Sequence, residues 1–476
     1  MNADRLLAQE KAPFAKVQAP CPYFGTCGGC TLQDLSYADQ LALKQQRLLR
    51  ILGPLDPSLS IEVVGMEDPW RYRNKSELTF GSLDDQLVVG YHAARSFWRI
   101  VDLEDCLLLP QPLGRLMGQV RAFAKREGLS TYNPRSHQGF LRYLVLRMSH
   151  ATGHILVCLV TTKAGTTPAA GSPTGVSAGA AAGPTQAAPS TLSTEPGHTR
   201  SGSAKEVSMR AAYRPTEPVM SSPARECRST PGLRPTQGDR AVLDRLAEEL
   251  TAFDPNVRSV YWGLNTKVAD VAVPEELFLL RGEPYLDDRI GPFTLKLHPL
   301  NFLQPTPVQA ERMYQRLIEW ASHSPSGVAW DLYCGVGLIA FYLASKFRTV
   351  YGIDSDARNL EMGRLNAAAN GIGNVEFRAG RAEDVLADKR FWLLEAKPDL
   401  VVIDPPRSGL HPRVIASLLA ARPKQLLYLS CNAQALARDL QQLTTGFPRY
   451  HLRRAVAFDL FPHTNHLEIL TLLERS

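Results

Sequence analysis

Trp330-Asp331-Leu332-Tyr333-Cys334-Gly335-Val336-Gly337-Leu338 sets the architecture of the second half of this 476-residue chain. An apolar run ends there in a turn with two glycines, and a segment with helical periodicity follows. The turn lies near the start of an alternating series of strands and helices that runs from Val328 to the end of the chain. Such a series is typical of an α/β fold with a doubly wound, Rossmann-like parallel sheet.

The same turn predicts a ligand site. Its glycines let the backbone approach a ligand at the carboxyl edge of the sheet, where doubly wound folds bind their ligands. The next strand ends in Asp354, an acid that is well placed for ribose hydroxyl groups. The third glycine of the dinucleotide pattern is missing, and the opening acid Asp331 suits S-adenosylmethionine better than NAD. We therefore expect an S-adenosylmethionine site.

A cysteine follows a later strand of the series. The apolar run 425–429 ends directly before Ser430-Cys431-Asn432, and a helix-forming segment follows. A thiol that is exposed at the sheet edge, next to the positive end of a helix, is expected to favour its nucleophilic thiolate form. The alternative is a small packing residue. Asp404, in the turn Asp404-Pro405-Pro406-Arg407, and Glu468, directly before the apolar run Ile469–Leu473, favour the nucleophile.

Four other cysteines predict a metal centre near the N-terminus. Cys21, Cys27 and Cys30 have a C-x5-C-x2-C spacing, and Cys106 lies far downstream. Four thiolates hold either zinc or an iron–sulfur cluster. Three clustered cysteines and a remote one suit a [4Fe-4S] cluster better than zinc, but the spacing leaves both possible.

Composition indicates an ordinary globular protein, with 44% hydrophobic and 21% charged residues. The N-terminus has no basic segment followed by an apolar one, and no apolar run in the middle of the chain spans a bilayer, so we expect a cytoplasmic protein without membrane contact. Seven Lys or Arg and four Asp or Glu lie between residues 164 and 237, which accounts for half of the net charge of +6. Net charge alone therefore permits a nucleic-acid partner without requiring one.

The pattern divides the chain into five segments. Residues 164–237 are rich in Ala, Gly, Ser, Thr and Pro and lack hydrophobic periodicity, so we expect a disordered insertion within one domain. The predicted segments are a cysteine segment with a helix from Ser36 to Leu52 (1–57), a β-rich domain in two parts (58–163 and 238–297), the insertion (164–237) and the doubly wound domain with the expected S-adenosylmethionine site (298–476). In the second part of the β-rich domain, we predict strands at Val257–Leu264 and Val268–Val273.

Basic and aromatic side chains alternate in the β-rich domain. Arg71-Tyr72-Arg73-Asn74-Lys75 and Phe97-Trp98-Arg99 are the main examples. Such a pattern suits phosphates and unstacked bases, although a solvated strand face explains it equally well.

In combination, these motifs resemble the RNA uracil-C5 methyltransferases. The resemblance is carried by the cysteine cluster, by the turns at 331–335, 404–407 and 430–432, and by Phe461-Pro462-His463-Thr464-Asn465-His466-Leu467-Glu468. It covers nearly the whole chain apart from the insertion. The segments around Cys431 and Glu468 are most similar to the RlmC type, which methylates a uridine in 23S ribosomal RNA.

The resemblance implies a mechanism and a set of site residues. Cys431 would be the nucleophile, Glu468 the base and Asp404 a partner of the uracil or the cofactor. The resemblance also implies S-adenosylmethionine contacts at Gln304, Tyr333, Gly335, Asp354 and Asp404, and a [4Fe-4S] cluster on Cys21, Cys27, Cys30 and Cys106. Leu338 and Asp354 depart from the asparagine and the glutamate that are usual in relatives. We expect a monomer that methylates 23S ribosomal RNA. The alternatives are the same reaction on transfer RNA and a catalytically silent, metal-stabilised RNA-binding protein.

Overall fold

The computed structural model describes residues 3–162, 237–269 and 271–476. The insertion expected at 164–237 lies outside these residues, apart from Gln237. The helices are α1 (Ala3–Lys11), α2 (Tyr37–Leu52), α3 (Gln111–Arg126), α4 (Gln237–Phe253), α5 (Pro307–Trp320), α6 (Leu338–Ala344), α7 (Ala357–Ala369), α8 (Ala382–Val385), α9 (Pro412–Ala421) and α10 (Ala433–Thr445). A π-helical turn covers Phe391–Glu395.

The strands form two large sheets and one hairpin. They are β1 (Ile61–Val64), β2 (Lys75–Leu83), β3 (Gln86–His92), β4 (Ile100–Asp102), β5 (Leu141–Met148), β6 (Ile155–Thr161), β7 (Val257–Leu264), β8 (Glu276–Gly282), β9 (Leu286–Ile290), β10 (Phe293–Leu297), β11 (Ser324–Leu332), β12 (Phe347–Asp354), β13 (Val375–Ala379), β14 (Leu400–Ile403), β15 (Gln425–Ser430), β16 (Tyr450–Phe458) and β17 (Glu468–Arg475).

The first sheet has eight strands in the order β1-β16-β17-β15-β14-β11-β12-β13. Its neighbouring strands are parallel except at β17, which runs antiparallel to both β15 and β16. The strand order reverses at β11, since β12 and β14 lie on its two sides. A ligand site is therefore expected at the carboxyl ends of these strands. The predicted doubly wound α/β fold is confirmed.

Alternate residues of this sheet pack into two separate cores, as the period of a strand requires. Ala329 and Val402 belong to one core, and Trp330 and Val401 belong to the other. The runs are apolar on both faces because helices cover a parallel sheet on both sides.

β1 lies at the edge of this sheet, where Ile61 is paired with Ala455 of β16. The segment boundaries predicted from the sequence placed β1 in the β-rich domain, which was expected to begin at residue 58. The domain boundaries remain a prediction, but this strand belongs to the eight-stranded sheet.

The second sheet has seven strands in the order β4-β3-β2-β5-β6-β7-β8, mostly antiparallel. The predicted strand Val257–Leu264 is confirmed as β7, whereas Val268–Val273 is not a strand. The buried guanidinium of Arg142 binds this segment instead. It donates hydrogen bonds to the carbonyl oxygens of Asn265, Lys267 and Ala269. Those carbonyls therefore bind a side chain and do not pair with a neighbouring strand.

Candidate active site

The carboxyl ends of four parallel strands meet at one edge of the eight-stranded sheet. β11 ends at Leu332, β12 at Asp354, β14 at Ile403 and β15 at Ser430. β17 runs the other way and therefore begins at this edge, with Glu468. Ser430 and Ile469 form the last residue pair between the antiparallel strands β15 and β17. Cys431 and Glu468 are the next residues beyond this pair, one on each chain segment. The topology thus brings the predicted nucleophile and base to the same end of two adjacent strands.

Cys431 lies in the short turn between β15 and α10. Asn432 caps the helix, because its side-chain oxygen accepts hydrogen bonds from the backbone N–H groups of Gln434 and Ala435. The Asn432 Nδ2 atom also donates to the Arg407 carbonyl oxygen at 2.9 Å. One side chain therefore orders both the turn that carries Cys431 and the turn that follows β14.

The surroundings of Cys431 correct one expectation. Burial raises the pKa of the Cys431 thiol, and the nearby Glu468 carboxylate raises it further, while Arg407 opposes both effects. The sequence suggested an exposed thiol that favours the thiolate. That prediction is wrong, since the thiol is half-buried and faces carboxyl groups as well as the helix end.

Three acids lie together behind the thiol. Burial raises the pKa of Asp404 to about 7. Burial also raises the pKa of Glu468, with a further contribution from the charge of Asp404, while Arg407 lowers it. Asp331 is fully buried, and its Oδ2 atom accepts a hydrogen bond from the Ala340 N–H at 2.9 Å. A cleft with closely spaced acids of raised pKa is a typical setting for proton transfer.

A cavity of about 720 Å³ opens at the same edge of the sheet, but Asp331, Asp404, Glu468 and Cys431 are not among the residues that line it. Tyr333 and Asp354, two predicted cofactor residues, line it, together with Pro406 from the turn that follows Asp404. The Gly335 N–H donates to the Asp354 Oδ2 atom at 2.9 Å, and Gly335 has a φ of +54°, a conformation that favours glycine. The cavity has a volume usual for a site that binds a small molecule.

Gln304 is not among the residues that line this cavity. It lies directly before Pro305, on the segment that leads from β10 to α5, and it is buried. Its Oε1 atom has no hydrogen-bond partner among the described residues. An unpaired, buried amide oxygen is costly, which makes Gln304 a candidate to meet a ligand group.

Sequence reasoning missed several cavity residues. Glu383, which is paired with Arg381, and Arg438 line the cavity. Arg438 donates to the Ser408 carbonyl oxygen at 2.8 Å and is paired with the buried Asp439. Arg438-Asp439 lies one to two helical turns after Cys431, so its position in the sequence was an available signal.

The four predicted metal ligands line a second, small cavity. Cys21, Cys27, Cys30 and Cys106 all face it. Burial raises the pKa of Cys30 to about 12 and also raises the pKa values of Cys27 and Cys106. Within the described ranges, no group of three or more His, Cys, Asp or Glu side chains is arranged to hold a metal ion.

His463 connects residues 21–32, which we call the cysteine loop, with the segment that carries Glu468. Its carbonyl oxygen accepts hydrogen bonds from the N–H groups of Thr31 and Leu32, directly after Cys30, at 2.9 and 3.0 Å. Its ring stacks on Trp70 with 3.8 Å between the ring centroids. His463 has a φ of +66° and is buried, so these contacts hold it in an otherwise unfavourable conformation.

Comparison with known proteins shows similar chains of almost the same extent. The chain is 30% identical to an uncharacterized RNA methyltransferase of Caldanaerobacter subterraneus subsp. tengcongensis over 471 residues, which is 98% of this chain and 87% of the relative. It is 28% identical to an uncharacterized RNA methyltransferase of Halalkalibacterium halodurans, over 99% of this chain and 86% of that protein. The class of protein is therefore that of the RNA methyltransferases.

Two further comparisons give the family. Residues 291–476 match the sequence model described as tRNA (Uracil-5-)-methyltransferase. The fold is similar to the crystal structure of Pyrococcus abyssi tRNA (uracil-54, C5)-methyltransferase in complex with S-adenosyl-L-homocysteine, with a TM-score of 0.63, 26% identity and coverage of 94% of this chain and 85% of that one. The chain belongs to the RNA (uracil-5-)-methyltransferases.

None of the helices in the described part of the chain is long and apolar enough to cross a bilayer.

Proposed function

We propose that this protein methylates carbon 5 of a uracil in 23S ribosomal RNA through a covalent adduct between Cys431 and carbon 6. The observation that carries the proposal is the register of β15 and β17, which brings Cys431 and Glu468 to one edge of the sheet. A cavity of about 720 Å³, lined by Tyr333 and Asp354, opens at the same edge. S-adenosylmethionine, when bound, supplies an electrophilic methyl group. Tyr333, Gly335, Asp354, Asp404 and Gln304 are the residues proposed to hold it or to face the uracil.

The residues of the chain divide the chemistry between them. The Cys431 sulfur adds to carbon 6 as a thiolate, its proton having passed to solvent, and the electron pair of the C5–C6 double bond moves into an enolate. Carbon 5 of this enolate then takes the methyl group, and the sulfur of the donor would keep the electron pair of the broken bond as a neutral thioether. Glu468, once it has become a carboxylate, then removes the proton from carbon 5, the double bond forms again and the sulfur leaves. Arg407 lies close enough to influence the ionisation of both groups. Asp404 is proposed to hydrogen-bond the base or the cofactor.

RNA that contains 5-fluorouridine tests this mechanism, because fluorine cannot leave carbon 5 as a proton does. The native protein should form an adduct that survives denaturing electrophoresis, and Cys431→Ala should form none. Glu468→Gln should accumulate an adduct with ordinary uridine, since elimination has lost its base. Cys334→Ala, another cysteine at the sheet edge, is the matched control and should behave like the native protein. An adduct that persists in Cys431→Ala would rule out this nucleophile.

The RNA target needs a separate test. The segments around Cys431 and Glu468 support 23S ribosomal RNA through the resemblance described above, whereas the similarity to the Pyrococcus abyssi enzyme favours transfer RNA as a second candidate. Mass spectrometry of both RNAs from a deletion strain distinguishes them: we expect 5-methyluridine to disappear from 23S ribosomal RNA alone. Its loss from transfer RNA would establish the second candidate, and no loss would support a silent RNA-binding protein. We also propose that the enzyme acts as a monomer in the cytoplasm, where either RNA would be its substrate.

The four cysteines are proposed to hold a [4Fe-4S] cluster. Support comes from the position of all four thiols around one small cavity. The cluster would stabilise the cysteine loop and position RNA, because methyl transfer by the steps above requires no electron. Protein purified without oxygen should show broad visible absorption and contain iron and acid-labile sulfide, both lost in Cys106→Ser but kept in Cys158→Ser. Stoichiometric zinc without iron would contradict the proposal.

A further inference from the structure

The structure separates two stretches that looked alike in the sequence. Arg71 is occupied inside the protein, because its guanidinium binds Asp105 and the carbonyl oxygens of Cys106 and Leu109. Phe97 and Trp98, by contrast, are 54% and 51% exposed. Two adjoining, half-exposed aromatic side chains are unusual on a surface that has no partner.

An arginine from a distant part of the chain completes this surface. The Phe97 and Trp98 rings meet edge to face with 5.0 Å between their centroids. The Arg135 guanidinium, from the loop between α3 and β5, lies 4.8 Å from the centroid of the Trp98 ring. We call Phe97, Trp98 and Arg135 the aromatic platform.

Hydrogen bonds order the loop that carries the platform. The Ala93 N–H donates to the Arg99 carbonyl oxygen at 2.7 Å, and the Arg99 N–H donates to the Ser96 hydroxyl at 3.1 Å. The loop is also bound to the cysteine loop, since the Ala94 N–H donates to Thr26 and the Gly28 N–H donates to His92. The aromatic rings are therefore presented on an ordered backbone, which lowers the entropy cost of binding.

The charges around the platform indicate its ligand. Residues 92–99 and 132–138 contain Arg95, Arg99 and Arg135 and no Asp or Glu. A partner must therefore be anionic and must also offer flat faces to the rings. Single-stranded RNA has both features, because its phosphates suit arginine and its unstacked bases suit Trp and Phe. A double helix hides its base faces, and an acidic peptide has no face to stack.

We infer that single-stranded nucleotides of the RNA substrate, outside the methylated uridine, stack on the aromatic platform. The inference rests on the proposed function for the identity of the substrate. The cysteine loop connects the two regions, since it contacts the platform loop through Thr26 and Gly28 and the Glu468 segment through Thr31 and Leu32. The platform would then select substrates with an unpaired flank.

The test compares RNA binding by full-length variants at one fixed salt concentration. We expect Trp98→Ala to bind a fluorescein-labelled oligouridine about tenfold more weakly, the size of one lost stacking contact. Trp98→Phe keeps an aromatic face and should bind nearly as the native protein does. Phe447→Ala is the matched control, because Phe447 is 84% exposed and lies under Arg422 in the same manner, at 5.7 Å.

Methylation kinetics separate this inference from the proposed function. With a uridine hairpin that carries single-stranded flanks, Trp98→Ala should raise KM about tenfold and leave kcat unchanged; without flanks, KM should not change. Equal RNA binding by Trp98→Ala and native protein would overturn the inference, as would an equal loss in Phe447→Ala. If Trp98→Ala binds RNA as the native protein does but differs from it in sedimentation, and therefore in assembly state, the platform binds a protein partner instead. If native protein binds the oligouridine through Trp98 but transfers no methyl group, the proposed function is wrong, whereas the inference that the platform binds RNA still holds.

Discussion

Asp404 and Glu468 are carboxyl groups whose environment matters more than their chemical type. Both have raised pKa values because burial disfavours their charged forms, and the charge of Asp404 adds to the effect on Glu468. In the unfolded chain, each carboxyl returns to an ordinary pKa of about 4. The folded protein therefore binds protons at neutral pH that the unfolded chain has released.

This difference predicts how the stability of the ligand-free protein depends on pH. A carboxyl whose pKa is raised on folding stabilises the protein below its unfolded pKa, and that stability is lost as pH rises through the folded value, about 7 for Asp404. We expect the Tm of the native protein to fall by a few degrees between about pH 6.5 and pH 8.5. Glu468→Gln should show a flatter curve in differential scanning fluorimetry.

The pH range of that experiment is chosen because of buried histidines. Burial lowers the pKa values of His298 and His463 to about 4. These histidines therefore reduce the stability of the folded protein only at pH values below the chosen range. A native Tm that rises between the two pH values, or an identical slope in Glu468→Gln, would contradict the assignment of a protonated carboxyl pair.

At the scale of elements, one buried ion pair fastens α2 to the segment between β16 and β17. The Lys44 Nζ atom lies 2.7 Å from the Asp459 Oδ1 atom, and both side chains are almost fully buried. The Tyr37 hydroxyl donates to the other carboxylate oxygen at 3.2 Å. Asp459 begins the segment that leads through His463 to Glu468, so this pair supports the end of β17 that carries Glu468.

Removing one partner of this pair should be strongly destabilising. Lys44→Met leaves Asp459 as an uncompensated buried charge, and we expect the free energy of unfolding to fall by about 3–5 kcal/mol. Arg50→Met is the matched control, since Arg50 is 55% exposed in its pair with Glu10 and should cost less than about 1 kcal/mol. Urea denaturation measures both. Lys44→Met/Asp459→Asn should recover part of the loss, and a Lys44→Met effect no larger than the control would refute the prediction.

Local periodicity allowed much of this architecture to be predicted. The helix expected from Ser36 to Leu52 is α2, with Ser36 as its cap, and the strand expected to deliver Cys431 is β15. The position of Glu468 at the start of β17 also follows from the apolar run after it. These features are encoded by neighbouring residues, and neighbouring residues were sufficient to find them.

What could not be predicted depends on partners that are distant in sequence. Val268–Val273 reads as a strand, but Arg142 binds the surrounding carbonyls from the other side of the insertion. The pKa of Cys431 depends on Glu468. The sequence around Cys431 does not show how close that carboxyl group lies to the sulfur. Gln304 was predicted only through resemblance, and its unpaired oxygen becomes visible only in three dimensions.

On the scale of the whole molecule, the predicted methyltransferase segment 298–476 does not contain all of its own sheet. β1 supplies the edge strand beside β16, and Leu48 and Leu52 of α2 pack into one core of the sheet. A fragment of residues 298–476 would therefore expose the edge of β16 and an apolar surface.

We expect this fragment to fail to fold alone. Circular dichroism and proton–nitrogen NMR spectra should lack the cooperative unfolding and the dispersed signals of a native protein. A second fragment, in which residues 36–66 are joined to 298–476 by a flexible linker, restores α2, β1 and Lys44 and should recover both. A stable, well-dispersed fragment 298–476 would show that these early residues are dispensable.

The pairing of β1 with β16 also determines when activity can arise during protein synthesis. Lys44 and Asp459 are 415 residues apart in the sequence, so the ribosome completes almost the entire chain before they can meet. Contacts of such high order form slowly, because a long loop must close first. Until β16 has been synthesised, β1 has no partner strand in this sheet, and the edge that carries Glu468 cannot be completed.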